Sequence, residues 1–198
     1  MFKDPLHWFP DPYFSTILAI LIFGTFLIDY ALPQTLAQRD SSHPTRMQDR
    51  GSFRIIQIIG IISIVVDVVF RALNWTLTPG VLQYVGLLFI LVGLIVREWA
   101  VVKLGRFFSR TVQIKSGHQL ITDGPYCWLR HPAYTGMILI YLGIALALGT
   151  WLGAVITTGF MLAATLYRIR IEEQLLIETF GDEYRDYMQH TWRLFPGW

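Results

Sequence analysis

Residues 130–173 read RHPAYTGMILIYLGIALALGTWLGAVITTGFMLAATLYRIRIEE, a long apolar run with charged residues at both ends. The 37 residues between Tyr134 and Glu172 suffice for two membrane-crossing helices, because each crossing takes roughly 17–25 residues. Gly149-Thr150 leaves so little room between the two helices that they must form an antiparallel hairpin. The charged pairs Arg130-His131 and Glu172-Glu173 should therefore lie on the same side of a membrane.

The composition of the whole chain agrees with this interpretation. Its 198 residues are 54% hydrophobic and 15% charged, with a mean hydropathy of +0.46, which is too apolar for an ordinary soluble domain. A net charge of +2 gives no reason to expect a nucleic-acid partner, and the single Cys127 cannot form an internal disulfide. Residues 1–12 lack the layout of a cleavable signal peptide, so we expect the first apolar run to be a retained span.

Five apolar segments predict an all-α integral membrane protein with about five transmembrane helices. The segments are Tyr13–Leu32, Ile55–Leu73, Val81–Val102, Tyr134–Leu148 and Trp151–Tyr167. We expect one structural domain, in which residues 1–102 form a three-span region and residues 103–198 the catalytic region.

The Lys and Arg residues predict the orientation of these spans. Fourteen of the sixteen fall on one side of a five-span arrangement, leaving Lys3 and Arg71 on the other. The fourteen are Arg39, Arg46, Arg50, Arg54, Arg97, Lys103, Arg106, Arg110, Lys115, Arg130, Arg168, Arg170, Arg185 and Arg193. By the positive-inside rule the amino terminus lies outside, and the carboxyl terminus and the polar loops lie in the cytoplasm.

Small and acidic residues inside the spans predict helix packing. Gly86 and Gly93 are seven residues apart, as are Gly136 and Gly143, so each pair lies on one helix face and favours close packing. A charge in an apolar span is costly when unpaired, so we interpret Asp67 as a structural hydrogen-bonding group facing protein and Asp29 as interfacial.

Polar residues concentrate between Leu104 and Tyr134, in a glycine-bearing stretch long enough to carry function. Turns are predicted at Ser116-Gly117 and at Asp123-Gly124-Pro125. Past the fifth span the helix is expected to continue to Phe180 and to stop at Gly181, before a short final helix.

Two polar groups should meet at the cytoplasmic end of the hairpin. Arg168 and Glu172 are four residues apart and share a helix face, which alone is also typical of a plain surface ion pair. His131 before Pro132 belongs at the start of the fourth helix, where it either binds an anionic group or only caps the helix. Together with His118 and Glu173 these residues match no metal-binding spacing, so we expect no metal. No Gly-x-Gly-x-x-Gly motif follows a predicted strand, which disfavours a soluble-type dinucleotide domain.

Several short motifs follow one another in the carboxyl-terminal half of the chain. They are residues 117–126 (GHQLITDGPY), 130–134 (RHPAY), 172–177 (EEQLLI), 180–184 (FGDEY), Tyr187 and residues 193–196 (RLFP). With this spacing the carboxyl-terminal half resembles the isoprenylcysteine carboxyl methyltransferase family, membrane enzymes that use S-adenosylmethionine, with its prokaryotic relatives and the related phospholipid methyltransferases.

The resemblance implies a set of site residues. Those expected to bind S-adenosylmethionine, and its product S-adenosylhomocysteine, are Gln113, His118, Gln119, Leu120, Ile121, Tyr126, His131 and Glu172. Arg168 is expected to contact the substrate and to act in catalysis, together with Glu173 and Arg130, and Tyr134 is expected to contact the substrate as well.

The expected reaction is methyl transfer to a lipophilic small molecule or lipidated group, beside membrane lipids. A prenylcysteine-like carboxylate needs no general base, because it is ionised at neutral pH. A phospholipid amine must lose a proton, to Glu173 or a histidine. A small thiol is a third acceptor left open. Two other classes also remain open, a nicotinamide-dependent membrane lipid reductase and a non-catalytic membrane binding protein.

Overall fold

Helices make up most of the computed structural model, which describes residue 9 and residues 12–38, 44–74 and 80–197. Within these residues the α-helices are α1 Pro12–Gln38, α2 Ser52–Ala72, α3 Gly80–Leu104, α4 Pro132–Ala147, α5 Trp151–Phe180 and α6 Asp182–His190. Each predicted apolar segment falls largely within one of the first five, so the all-α prediction is confirmed. Lys3, Arg39 and the side chains of Asp29 and Arg46, which entered the predictions above, lie outside the described residues.

The helices differ in how well each could cross a membrane alone. Three of the described helices, α2, α3 and α5, are long and apolar enough by length and composition. The apolar part of α1, Tyr13–Ile28, and the 16-residue α4 are shorter. At 1.5 Å per residue α4 spans about 24 Å, less than the roughly 30 Å of hydrocarbon in a bilayer. The number of complete spans therefore stays a prediction.

Two pairs of glycines bring α3 and α4 into close contact. A Cβ atom built on Gly136 would lie 2.5 Å from the carbonyl oxygen of Gly93, and one on Gly143 would lie 2.6 Å from that of Gly86. Backbone meets backbone at both levels, so no larger side chain fits between the helices. The packing predicted from the seven-residue spacing is confirmed.

A small antiparallel sheet joins the loop before α2 to the loop before α4. Its strands are β1 Pro44–Met47 and β2 Gln113–Lys115, with Met47 opposite Gln113 and Arg46 opposite Ile114. The sequence analysis did not predict this sheet, because strands of three and four residues are too short to show an alternating pattern. The sheet fixes the start of the polar loop, residues 105–131 between α3 and α4, against the amino-terminal half.

Buried polar groups join α2 to α5 inside the helical bundle. Asp67 is 1% exposed, and its Oδ2 accepts a hydrogen bond of 3.0 Å from Thr157 Oγ1. A Cβ on Gly153 would lie 2.2 Å from Asp67 Oδ1, so the helices meet closely here as well. The structural interpretation of Asp67 is confirmed.

The ends of the hairpin follow the local sequence. Pro132 is the first residue of α4, where its missing N–H is of no consequence, and α5 ends at Phe180 before Gly181 with φ of 58°. Both boundaries agree with the prediction. They place Arg130-His131 and Glu172-Glu173 at the same end of the hairpin.

Candidate active site

A cavity of about 430 Å³ opens at this end of the hairpin. It is lined by residues of all six α-helices described above and of the polar loop, and its volume lies in the range of small-molecule sites. Eleven of the twelve predicted site residues line it, namely Gln113, His118, Gln119, Leu120, Ile121, Tyr126, Arg130, His131, Tyr134, Arg168 and Glu172. The predicted residues are therefore brought together, and Glu173 is the one among them that does not line the cavity.

The hydroxyl of Tyr134 lies between the two charged residues of α5. It donates to Glu172 Oε2 at 2.6 Å and accepts from Arg168 Nε at 2.6 Å. The ring of Tyr134 also stacks on His131, with 5.6 Å between centroids. Arg168 and Glu172 thus share a helix face as predicted, but a phenol in the first turn of α4 connects them in place of a direct ion pair.

Arg168 is also held from the amino-terminal half of the chain. Its Nη1 donates to Asp49 Oδ1 and to Ser52 Oγ, each at 3.1 Å, and its Nη2 donates to the carbonyl oxygen of Arg110. The sequence analysis missed Asp49 and Ser52. Asp and Ser are typical of the start of a helix, and both residues come just before the apolar run of α2. This pattern could have predicted a carboxylate at this end of the bundle.

Glu173 does not line the cavity and faces two arginines and a histidine. Its carboxylate accepts from Arg130 Nε at 3.2 Å and from Arg193 Nη2 at 2.7 Å, and its Oε1 lies 3.4 Å from His131 Nε2. It is 5% exposed. A buried carboxylate with three such neighbours stabilises the packing of the segments that carry them. The predicted role of Glu173 in catalysis stays a prediction.

The segment after α6 holds the start of α4 in place. Arg130 Nη1 donates to the carbonyl oxygens of Met188 and Thr191, and its backbone N–H donates to that of Trp192 at 2.7 Å. Thr135 Oγ1 donates to the Leu194 carbonyl oxygen at 2.6 Å. Residues 188–194 therefore fix the polar start of α4 from outside.

His118 forms an aromatic wall of the cavity. Its ring stacks on Phe107 with 4.7 Å between centroids and meets the edge of Phe180. Burial and the charge of Lys115 lower the pKa of His118, against the opposing effect of Glu172, so the imidazole is neutral at pH 7. Its buried Nδ1 has no hydrogen-bond partner among the described residues.

Tyr126 closes the cavity beside the polar loop. The Oη of Tyr126 donates to the carbonyl oxygen of Ala100 at 3.4 Å, and the backbone carbonyl oxygen of Tyr126 accepts from Tyr187 Oη at 2.7 Å. Burial, reinforced by the nearby Glu172 carboxylate, raises the pKa of the Tyr126 hydroxyl well above its usual value. The phenol is therefore neutral and serves as a fixed wall.

These features define a helical membrane protein with a cavity at one end of its bundle, polar at the loop and apolar between α1, α2 and α4. Residues 85–178 match the family model of isoprenylcysteine carboxyl methyltransferases, which covers the hairpin and the polar loop. The resemblance to the isoprenylcysteine carboxyl methyltransferase family that the motifs predicted is confirmed by this match.

Several proteins of this kind are similar to the chain. A probable protein-S-isoprenylcysteine O-methyltransferase of Oryza sativa subsp. indica is 37% identical over 109 residues, covering 54% of this chain and 57% of the rice protein. Protein-S-isoprenylcysteine O-methyltransferase B of Arabidopsis thaliana is 28% identical over 181 residues, 88% of this chain and 87% of that protein.

A solved structure of the eukaryotic intramembrane Ras methyltransferase ICMT superposes with a TM-score of 0.56 and 28% identity. The superposition covers 73% of this chain and 52% of that one. The chain thus spans about half the length of several of the proteins it matches, and the fold it shares with them is that of an intramembrane protein.

Proposed function

We propose that the protein is an S-adenosylmethionine-dependent membrane methyltransferase that acts on a lipophilic acceptor. The observation that carries this proposal is that one continuous cavity joins the polar loop, Glu172 and Arg168 to an apolar arm. We define the apolar arm as the part lined by Phe26 of α1, by Phe53, Ile61 and Ile64 of α2, and by Met137 of α4.

The polar end of the cavity fits the cofactor. Glu172 keeps its second oxygen, Oε1, without a partner among the described residues, and it can accept from the amino group or the ribose hydroxyls. The partnerless Nδ1 of His118 lies in the same wall, while Leu120, Ile121 and Tyr126 would cover the adenine ring. The bound cofactor would supply a methyl group activated on a sulfonium sulfur.

The apolar arm fits the tail of the acceptor. Phe53 and Ile64 are eleven residues apart on α2, so the arm follows that helix for about 16 Å. Arg168 stands where the arm meets the polar end and is 4% exposed. A head group there would be held out of water, so that the protein contributes alignment and desolvation of the acceptor.

A carboxylate of prenylcysteine type is the acceptor that these groups support best. It is ionised at neutral pH and needs no base, and the guanidinium of Arg168 can hold it by a charge-assisted hydrogen bond. An amine or thiol acceptor would have to lose a proton. Glu173, a base named for that task, does not line the cavity and is engaged by Arg130, His131 and Arg193.

The test is methyl transfer from labelled cofactor to three acceptors that share one farnesyl tail and differ only in a carboxylate, amine or thiol head. We expect a base-labile methyl ester from the carboxylate. Glu172→Gln should weaken binding of S-adenosylhomocysteine, measured by calorimetry, whereas Glu178→Gln, on the exposed face of the same helix, should not. Binding of a reduced nicotinamide dinucleotide without S-adenosylhomocysteine would refute the proposal in favour of a reductase.

We also propose that the cavity faces the cytoplasm, with the amino terminus outside. The support is the placement of fourteen of sixteen Lys and Arg residues on one side of the spans. Cys127 is exposed in the polar loop and is the chain's one cysteine, so it reports the side directly. A membrane-impermeant maleimide should label it only after cells are permeabilised, and labelling in intact cells would reverse the orientation.

A further inference from the structure

Asp49, in the loop between β1 and α2, connects three parts of the chain. Its Oδ1 accepts from Ser52 Oγ at 3.0 Å, from the backbone N–H of Val112 at 3.2 Å and from Arg168 Nη1 at 3.1 Å. Its Oδ2 lies 3.4 Å from the backbone nitrogen of Phe53, which donates to it. One carboxylate thus joins the start of α2, the segment before β2 and the middle of α5.

The donors of Arg168 can be counted one by one. Nε donates to Tyr134, both hydrogens of Nη1 go to Asp49 and Ser52, and one hydrogen of Nη2 goes to the Arg110 carbonyl oxygen. A guanidinium has five N–H donors. A single N–H on Nη2 is therefore left without a partner among the described residues, and it is the donor that remains for an acceptor.

Asp49 and Arg168 stand in different relations to the cavity. Arg168 lines it, as do Arg110 and Tyr134, while neither Asp49 nor Ser52 is among its lining residues. Asp49 therefore holds the guanidinium from behind. Both Asp49 and Ser52 also lie outside residues 85–178, the stretch that matches the family model.

The charge on Asp49 persists at neutral pH. Burial alone would raise the pKa of its carboxyl, but the hydrogen bonds from Val112, Ser52 and Phe53 and the charge of Arg168 together lower it. The side chains of Asp49 and Arg168 are 17% and 5% exposed, so water screens their attraction little.

We propose that Asp49 is a positioning residue for methyl transfer, which fixes the guanidinium of Arg168 so that its remaining Nη2 N–H is presented to the acceptor. The amino-terminal half of the chain thereby completes the acceptor site. This inference rests on the proposed function for the identity of the reaction, and it adds a residue that the family motifs do not contain.

The kinetic test uses Asp49→Asn in the full-length, detergent-purified protein. The amide oxygen can still accept from Val112 and Ser52, while the charge facing Arg168 is lost. We expect kcat/KM for the farnesylated carboxylate to fall by roughly tenfold or more, since a small misplacement of a positioning group can cost up to about a hundredfold. The dissociation constant for S-adenosylhomocysteine should stay unchanged.

Two further variants make this result specific. Asp49→Ala should be slower than Asp49→Asn, so that the conservative change gives partial rescue. Asp182→Asn removes an exposed carboxylate that is likewise paired with an arginine, Arg185, and should leave the kinetics as they are. A role in general stability alone would instead lower cofactor binding and acceptor turnover in parallel, and that outcome would overturn the proposal.

A thermal-unfolding cycle tests the contact without any turnover. Asp49→Asn should destabilise the protein in the parent background and much less in an Arg168→Met background, whereas additive effects would show that the two residues are not coupled. Coupling with unchanged acceptor kinetics would overturn the positioning role alone. A parent that transfers no methyl group would refute the proposed function and the positioning role with it, while the cycle would still decide whether the ion pair holds.

Discussion

Replacing Gly136 by alanine tests the packing that orients the candidate site. The new methyl carbon would lie 2.5 Å from the Gly93 carbonyl oxygen and 2.7 Å from the backbone nitrogen of Arg97. Ordinary contact begins at 3.4 Å, so α3 and α4 must separate by about 0.9 Å (3.4 − 2.5), because backbone atoms cannot rotate away. Overpacking of this kind costs about 1–3 kcal/mol.

Gly159→Ala is the matched control. It gains the same helix propensity, but a Cβ at Gly159 meets no atom within 4 Å. In a chain of this size each kcal/mol shifts Tm by about 2–4 °C, so Gly136→Ala should melt on the order of 2–12 °C below the control. Binding of S-adenosylhomocysteine should weaken too, because Arg97 Nη1 donates to the Ala133 carbonyl oxygen in the first turn of α4. Equal melting of the two variants would refute the reasoning.

Three more outcomes can be measured by unfolding. Glu173→Gln leaves the largely buried Arg130 and the partly exposed Arg193 without their anion and should cost roughly 3 kcal/mol. A variant as stable as the parent would show that these ion pairs do not stabilise the fold. Thr157→Val removes the donor to Asp67 Oδ2 and should cost about 1–3 kcal/mol, so unchanged stability would contradict the buried hydrogen bond. The pKa of Asp49 is lowered by folding, so its contribution is complete above about pH 4, the ordinary value, and is lost as the pH falls further. The stability gap between the parent and Asp49→Asn should therefore close on acidification, and a gap that widens would be evidence against the ion pair.

The helical bundle could be predicted because a bilayer restricts the chain so strongly. Apolar runs of sufficient length must be helices, and Pro132 and Gly181 mark the start of α4 and the end of α5 by backbone chemistry alone. Gly136 and Gly143 predicted close packing because a seven-residue spacing keeps small residues on one face. These three inferences rest on local sequence, and each was confirmed.

Contacts between distant segments could not be predicted in the same way. Asp49 and Arg168 are 119 residues apart, and the sequence around each residue gives no signal that the two are in contact. The bridging hydroxyl of Tyr134 depends on how α4 and α5 are rotated against each other, which hydropathy does not encode.

One helix boundary was predicted wrongly. The helix α1 runs through Pro33 to Gln38, beyond the predicted end at Leu32, since proline limits a helix without forbidding its continuation.

Residues 188–194 accept hydrogen bonds from Arg130 and Thr135, so the start of α4 can be fixed completely only after this segment has been synthesised. During synthesis the apolar helices emerge and can enter the bilayer before this segment has left the ribosome. Until then Arg130 lacks the carbonyl oxygens of Met188 and Thr191, and the start of α4 is fixed from one side only. A chain still being inserted therefore lacks the contacts that fix this end of the cavity.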